Sequence, residues 1–276
     1  MKELQPAIKW SGSKRPIATE IISTFPKEID TYYEPFCGGC SVLFSLLHNK
    51  EIVISKYICS DINNDLISLW NEVKNNPEAV IQSYTKMWHE LSALSIGDRK
   101  KYFGMVRERF NKEKSPYDFM FIMRTTTNGM PRYNLSGDFN NSFHVTRRGI
   151  NPKEFSKIIE NWNTLLVKKN VEFISRNYED IFSSENDVLY LDPPYAGTKG
   201  MYYGVIDYNK LWEWISEQNG FVTLSFDGKT TTKEYVNLVP EGLFKNHVLI
   251  KSGNSSFRRT IGTSNSEIVY ESLYTK

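Results

Sequence analysis

Short apolar runs of strand length occupy the two ends of this chain, and a long helix-patterned stretch lies between them. "YYEPF" at 32–36 and "YICSD" at 57–61 read as strands, with a helix over about 41–47 between them and another starting near Asn63. From about Asn64 to Trp162 the strand pattern mostly disappears, and segments such as "KKYFGMVRERFNK" and "SPYDFMFIMRTT" carry helical periodicity. The polar, glycine-punctuated patch "TTTNGMPRYNLSGDFNNSFHVTRRGINP" predicts a hairpin or long loop. Strands then return at 171–175, 187–192, 221–226, 247–251 and 267–274, which makes seven. Alternating strands and helices imply crossover connections, so the pattern predicts an α/β fold. Its sheet is mostly parallel, with a helical domain inserted after the second strand and no internal repeat.

Composition narrows this picture without redirecting it. At 276 residues and 40% apolar content the chain can bury one large core or two smaller ones. Its longest apolar runs, "VLYL" and "FMFIM", are far too short to span a bilayer, and "MKELQPAIKW" lacks the apolar centre of a signal peptide. A cytoplasmic protein with no membrane partner is expected. Three cysteines, Cys37, Cys40 and Cys59, provide no disulfide framework. "CGGC" has no second cysteine pair to complete a metal site, so no metal is expected. The net charge of +2 is unevenly spread: between Gly97 and Lys157 thirteen Lys or Arg face six Asp or Glu. Contact with a polyanion and a merely solvated helical face are both consistent with that excess.

Ligands of such sheets bind at the carboxyl ends of the strands, near the topological switch point. The first predicted strand runs into "EPFCGGCS", where Gly38 and Gly39 let the backbone turn sharply beside a ligand. The second ends in Asp61, a natural acceptor for ribose hydroxyls. "WSGSKRP" at 10–16 adds another glycine turn with Lys14, while the dinucleotide G-x-G-x-x-G spacing and the Walker lysine pattern are absent. The strand "VLYL" runs into Asp192-Pro193-Pro194-Tyr195. Two prolines hold that turn rigid and contribute no N–H, so the Asp192 carboxylate and the Pro193 carbonyl form a site of acceptors only. An exocyclic amine with two N–H groups complements it, and accepting both hydrogens makes such an amine more nucleophilic. Tyr195 adds a flat face for an extruded base. A stiff strand exit with no function remains the alternative reading of the same residues.

With "KWSGSK", "EPFCGG", "SDIN", "MRTTTNGMPRYN" and "LDPPY" in this order, the chain resembles the Dam-type (D12 class) DNA adenine-N6 methyltransferases from end to end. The resemblance implies a Rossmann-like, seven-stranded methyltransferase sheet with an inserted, mostly helical DNA-recognition domain. It implies a catalytic domain over residues 1–64 and 170–276 and a target-recognition domain with a DNA-binding hairpin over 65–169. S-adenosylmethionine (AdoMet) is the implied methyl donor, lined by Trp10, Gly12, Lys14, Pro35, Phe36, Gly38, Gly39, Asp61, Ile62, Asn177, Tyr178 and Asp192. Asp192, Pro193, Pro194 and Tyr195 would hold a flipped adenine for direct transfer to N6. Double-stranded DNA would meet Lys9, Arg124, Thr127, Asn128, Met130, Arg132, Asn134, Asn140, Arg147 and Arg148. "DYNKLW" at 207–212 and "LSFDG" at 224–228 look like family segments flanking the active site, and "SEIVYESLY" like the antiparallel strand of the sheet.

Several positions depart from the family pattern. Asn177 stands before Tyr178 where many relatives carry an acidic residue; its amide oxygen can still accept from the cofactor's adenine, so a weaker or altered AdoMet contact is expected there, not its loss. Thr127 stands where relatives that read GATC place a stacking aromatic, and "NNSFH" replaces their "NVPFG". The recognised site is therefore open, with GATC one candidate, as is the oligomeric state, a monomer or weak dimer being expected. A bacterial or a phage origin fits equally. Methyl transfer to cytosine N4, to RNA or to a protein amide uses a related Pro-Pro-aromatic turn, and a non-catalytic DNA-binding relative is the other alternative.

Overall fold

The computed structural model describes residues 5–144, 146, 148–195, 206–230, 239–254 and 268–276. Its strands are β1 (Glu28–Glu34), β2 (Val53–Asp61), β3 (Glu172–Ser175), β4 (Val188–Leu191), β5 (Phe221–Thr230), β6 (Asn246–Asn254) and β7 (Ile268–Thr275). They form one seven-stranded sheet in the order β3-β2-β1-β4-β5-β7-β6. β1 runs parallel to β2 and β4, and β4 parallel to β5, whereas β7 is antiparallel to both β5 and β6. The strand order reverses between β1 and β4, so the carboxyl ends of these two strands flank the switch point. The seven strands and the antiparallel β7 are those expected from the sequence. Every residue of β4 is buried, as its unbroken apolar run requires of a strand covered on both faces. β1 stops at Glu34 because Pro35 has no N–H to extend the ladder. It begins at Glu28, earlier than the apolar run at 32–36 predicts, with polar Asp30 exposed.

Contacts divide the chain into two compact units. The described part of the first is residues 5–12 and 61–175, excluding 145 and 147. It is built on α3 (Asn64–Asn75), α4 (Pro77–Ala93), α5 (Ile96–Glu113), α6 (Pro116–Thr125) and α7 (Pro152–Lys168). Side-chain oxygens cap three of these helices: Asn63 accepts from the Leu66 N–H at 3.2 Å, Ser95 from Asp98 at 3.3 Å and Asn151 from Lys153 at 2.9 Å. "FMFIM" has no polar face because α6 is the central helix of this unit, with Phe119 to Met123 all buried. Trp70 and Trp162 meet at 4.8 Å between ring centroids, and Trp70 stacks on Phe173 at 5.5 Å.

The second unit comprises residues 13–60, 176–195 and the described residues from 206 onward. Leu189, Leu191, Val222, Leu224 and Phe226 of the central strands form its core with Leu211, Trp214 and Ile215 of α8 (Tyr208–Glu217). The sequence pattern does not reveal α1 (Ala18–Ser23), because Pro16 and three isoleucines weaken the helical signal. Its Ala18, Ile21 and Ile22 are nevertheless spaced for one face and are buried.

Candidate active site

Asp192 follows β4 directly, and its carboxylate meets the Lys14 ammonium at 2.9 Å. Glu271, in the middle of β7, takes the other side of Lys14 at 3.4 Å. The Tyr195 hydroxyl donates to Glu271 at 3.2 Å, and the Lys14 ammonium lies over the Tyr195 ring, 5.0 Å from its centroid. Burial alone would push the Lys14 pKa down, but the Asp192 and Glu271 carboxylates outweigh it and hold the group above the usual lysine range. Burial pushes Asp192 up to about 6, against the downward pull of Lys14. The carboxylate is therefore ionised at neutral pH and an acceptor only. Among the described residues, two carboxyl groups thus flank one ammonium in this cluster.

The turn after Asp192 is braced from α8. The Tyr208 hydroxyl donates to the Pro194 carbonyl at 2.7 Å, and Asp207 caps that helix by accepting from Asn209 and Lys210. Tyr195, Tyr208 and Trp212 each stand edge-on to Phe226, with centroids 5.8, 5.6 and 5.5 Å away. "DYNKLW" thus supplies the aromatic wall of the second unit beside Tyr195, and "LSFDG" supplies Phe226.

At the neighbouring strand end, Glu34 is almost wholly buried. Its Oε2 accepts from the Tyr32 hydroxyl at 2.7 Å and from the Leu43 N–H at 3.1 Å, which caps α2 (Ser41–His48) across the glycine turn. Burial pushes the Glu34 carboxyl up to about 8, and the nearby Asp192 charge adds to the shift, while the two donors pull the other way. In that turn Gly38 has φ +45°, Cys40 has φ +53°, and the Cys37 N–H donates to Ser60 at 3.0 Å. Pro35 and Gly38 are buried and Gly39 is half-buried. Phe36 packs on buried Tyr178, centroids 5.3 Å apart, which gives an aromatic pair next to the turn. Asn177 directs its amide oxygen to the Glu179 N–H and its amide nitrogen to the Glu179 carboxylate.

The first unit holds the remaining candidates. Asp61 accepts from the Asn63 N–H at 2.9 Å, and Ile62 is exposed. Trp10 is half-buried, and Gly12 turns with φ +78°. The Ser11 N–H donates to the Gly129 carbonyl at 3.0 Å, which ties the residues around Lys9 to the Thr127-Asn128-Gly129 turn. Asn128 (φ +57°) is exposed, whereas Gly129 (φ +65°) is buried against Lys9: a Cβ there would stand 2.8 Å from the Lys9 carbonyl oxygen. Thr127 bonds Ser142 through its N–H at 2.9 Å and its hydroxyl at 3.2 Å. The Met130 carbonyl accepts from Asn141, and the Asn140 N–H donates to the Arg132 carbonyl at 2.9 Å. Asn134 shapes the tip of this hairpin by accepting from the Ser136 and Asp138 N–H groups, both at 2.9 Å. Arg132, Asn140 and Arg148 are exposed, and Arg147 lies outside the described residues.

The basic excess of the middle segment is partly spent inside this unit. Arg109 forms a bidentate pair with Asp118, Arg107 donates to the Asn141 carbonyl, and Arg99 donates to the end of α4. Arg124 donates to the Pro6 carbonyl and lies over Phe155, and burial pushes its pKa down to about 10. Glu34, Glu271 and Tyr208 are not among the residues that sequence reasoning singles out. A usable signal exists for two of them: Glu34 is an acid at a strand end before proline, as Asp192 is, and Glu271 is an acid in the middle of an otherwise apolar strand.

A model of the D12 class N6 adenine-specific DNA methyltransferases matches residues 10–255. The type II methyltransferase M.MjaIII of Methanocaldococcus jannaschii is 36% identical over 208 residues, which cover 70% of each chain. The DNA adenine methylase of Escherichia coli K12 is 34% identical over 71% of this chain and 66% of its own length. The type II methyltransferase M1.LlaDCHI of Lactococcus lactis subsp. cremoris is 28% identical over 70% of this chain and 66% of its own length.

Proposed function

The chain belongs to the D12 class N6 adenine-specific DNA methyltransferases, which use AdoMet, and on that premise we propose that Asp192 and Tyr195 act on an adenine extruded from duplex DNA. The observation that carries the reading is the position of Asp192 at the switch point, ionised and held by Lys14. AdoMet, when bound, supplies an electrophilic methyl group on a sulfonium. Asp192 accepts an N6–H of the adenine, draws the amine lone pair out of conjugation and stabilises the charge that develops on nitrogen. The Pro193 carbonyl is the second acceptor, and Tyr195 offers the face on which the base stacks.

Within the second unit Phe36, Gly38, Gly39, Tyr178 and Asn177 line the cofactor site together with Lys14 and Asp192. By the family resemblance Trp10, Gly12 and Ile62 are further cofactor contacts, and Asp61 accepts from the ribose hydroxyls. On this reading residues 1–64 and 170–276 make up the catalytic domain and 65–169 the recognition domain, whereas contacts place the described residues 5–12, 61–64 and 170–175 in the helical unit. The exposed hairpin residues Asn128, Arg132 and Asn140 read or position the DNA, and Lys9, whose ammonium is buried, acts through the Gly129 turn it packs against. Thr127, Met130 and Asn134 support that hairpin, and Arg147 and Arg148 meet phosphates. Arg124 contributes through the segment it anchors. The enzyme works on host or phage DNA in a cytoplasm, as a monomer or weak dimer. No helix among the described residues is long and apolar enough to cross a membrane.

Tritium transfer from labelled AdoMet to duplex DNA tests the central role. Asp192→Ala should lower the rate by about two to three orders of magnitude, the scale for one preorganised electrostatic group, while AdoMet affinity changes little. A variant within a few-fold of the parent rate removes Asp192 from the chemistry.

A further inference from the structure

Tyr133 lies in the hairpin between exposed Arg132 and the Asn134 turn, and its backbone bridges Phe139. Its ring stands edge-on to Phe139 at 5.6 Å, and Phe139 is in turn part of the core beside Phe110 and Phe119. The hydroxyl points away from the hairpin to the start of α3. There it donates to the Asp65 carboxylate at 2.9 Å and accepts from the Asn63 side-chain amide at 3.4 Å. Asn63 is 2% exposed; its amide oxygen caps α3 at Leu66, and its backbone N–H holds the Asp61 carboxylate at 2.9 Å. Burial raises the Asp65 pKa, and the Tyr133 hydroxyl lowers it by supplying a donor. A three-residue relay thus runs from the backbone neighbour of Arg132 to the carboxylate of Asp61.

We propose that Tyr133 couples DNA recognition to cofactor binding, because its hydroxyl joins the hairpin to the side chains of Asn63 and Asp65, and Asn63 in turn holds the Asp61 carboxylate through its backbone N–H. This rests on the reading above, in which Asp61 meets the ribose and the hairpin meets DNA. Tyr133 acts here as a positioning residue. A hairpin seated on DNA holds the hydroxyl in place, which fixes Asn63 and presents Asp61 to the ribose at a lower ordering cost. Reciprocity requires that the cofactor tighten DNA binding by the same factor.

The test is a binding cycle with S-adenosylhomocysteine and a duplex oligonucleotide carrying the site found by methylation-aware sequencing. Tyr133→Phe keeps the ring and its contact with Phe139 and removes only the hydroxyl. In the parent, each ligand should tighten the other by about tenfold, within the usual range for linked sites. In the variant that factor should fall to within about twofold of unity, while each ligand binds alone within about threefold of the parent. Hydrogen exchange gives a second readout: S-adenosylhomocysteine should slow exchange at residues 131–140 in the parent and not in the variant. Asp65→Ala removes the acceptor that holds the Tyr133 hydroxyl, and should lower the coupling without a further loss when combined with Tyr133→Phe. Equal coupling in parent and both variants overturns the proposal, as does a parent with no coupling. Asp61→Ala separates the two failures: unchanged S-adenosylhomocysteine binding in that variant overturns the ribose assignment, and the relay with it.

Discussion

A carboxyl group that keeps its proton at neutral pH is a hydrogen-bonding side chain without charge, and Glu34 meets that description. Its folded pKa, about 8, lies above the ordinary value of 4.5. Between those two values the folded chain therefore holds a proton that the unfolded chain has released. The contribution of this group to stability is complete below about 4.5 and declines as pH rises through the window, by up to about 1.4 kcal/mol per pH unit for one proton. Glutamine reproduces the protonated form, because its amide oxygen can accept from Tyr32 and Leu43 as Oε2 does. Glu34→Gln should therefore leave the urea midpoint near the parent value at pH 5 and raise it relative to the parent at pH 8.5. Parallel midpoints for the two proteins across that range would show that Glu34 is ionised in the folded state. Asp192 has the same sign over a narrower window, ending near 6, so its acceptor role in catalysis should fade as the medium is acidified through that value.

At the scale of elements, the hairpin draws its shape from the helical unit and keeps its exposed side chains for other contacts. Asn111 of α5 bonds both the N–H and the carbonyl of Phe139, and Arg107 holds Asn141, so the returning arm is docked on one helix. Arg132 projects from the other arm into solvent. A guanidinium there can bond guanine O6 and N7 together, which makes it a reader of one base pair. Arg132→Ala should cost about 1–3 kcal/mol on the preferred sequence and relax preference at one position. Arg148→Ala should instead weaken all sequences alike and reduce the salt slope by about one. Sequencing methylated DNA from cells expressing each variant, with binding at two salt concentrations, distinguishes them. An unchanged site profile for Arg132→Ala takes that residue off the reading surface.

For the whole molecule, β4 is legible because a strand buried on both faces leaves an unbroken apolar run, and the interrupted α/β order because short apolar runs alternate with helix-patterned stretches. The position of Asp192 is legible for the same reason, since the run ends on it. Partners distant in sequence are not legible: nothing near Lys14 announces that its ammonium will sit between Asp192 and Glu271. Net charge misleads in a related way, because the arginines at 99, 107, 109 and 124 bond to their own helical unit and leave fewer for a polyanion. The division at residue 12 is hidden too, because residues 5–12 join the helical unit through contacts such as Ser11 with Gly129. That last contact bears on transplantation. Gly129 has no room for a Cβ against the Lys9 backbone, so the turn and the N-terminal segment are cut to fit one another. A specificity graft that carries only residues 65–169 into a relative would set this turn against a foreign segment. One that carries 5–12 as well brings its own counterpart and should yield more soluble, S-adenosylhomocysteine-binding protein, while equal yields from both grafts would mean that the fit at Gly129 is not what limits exchange.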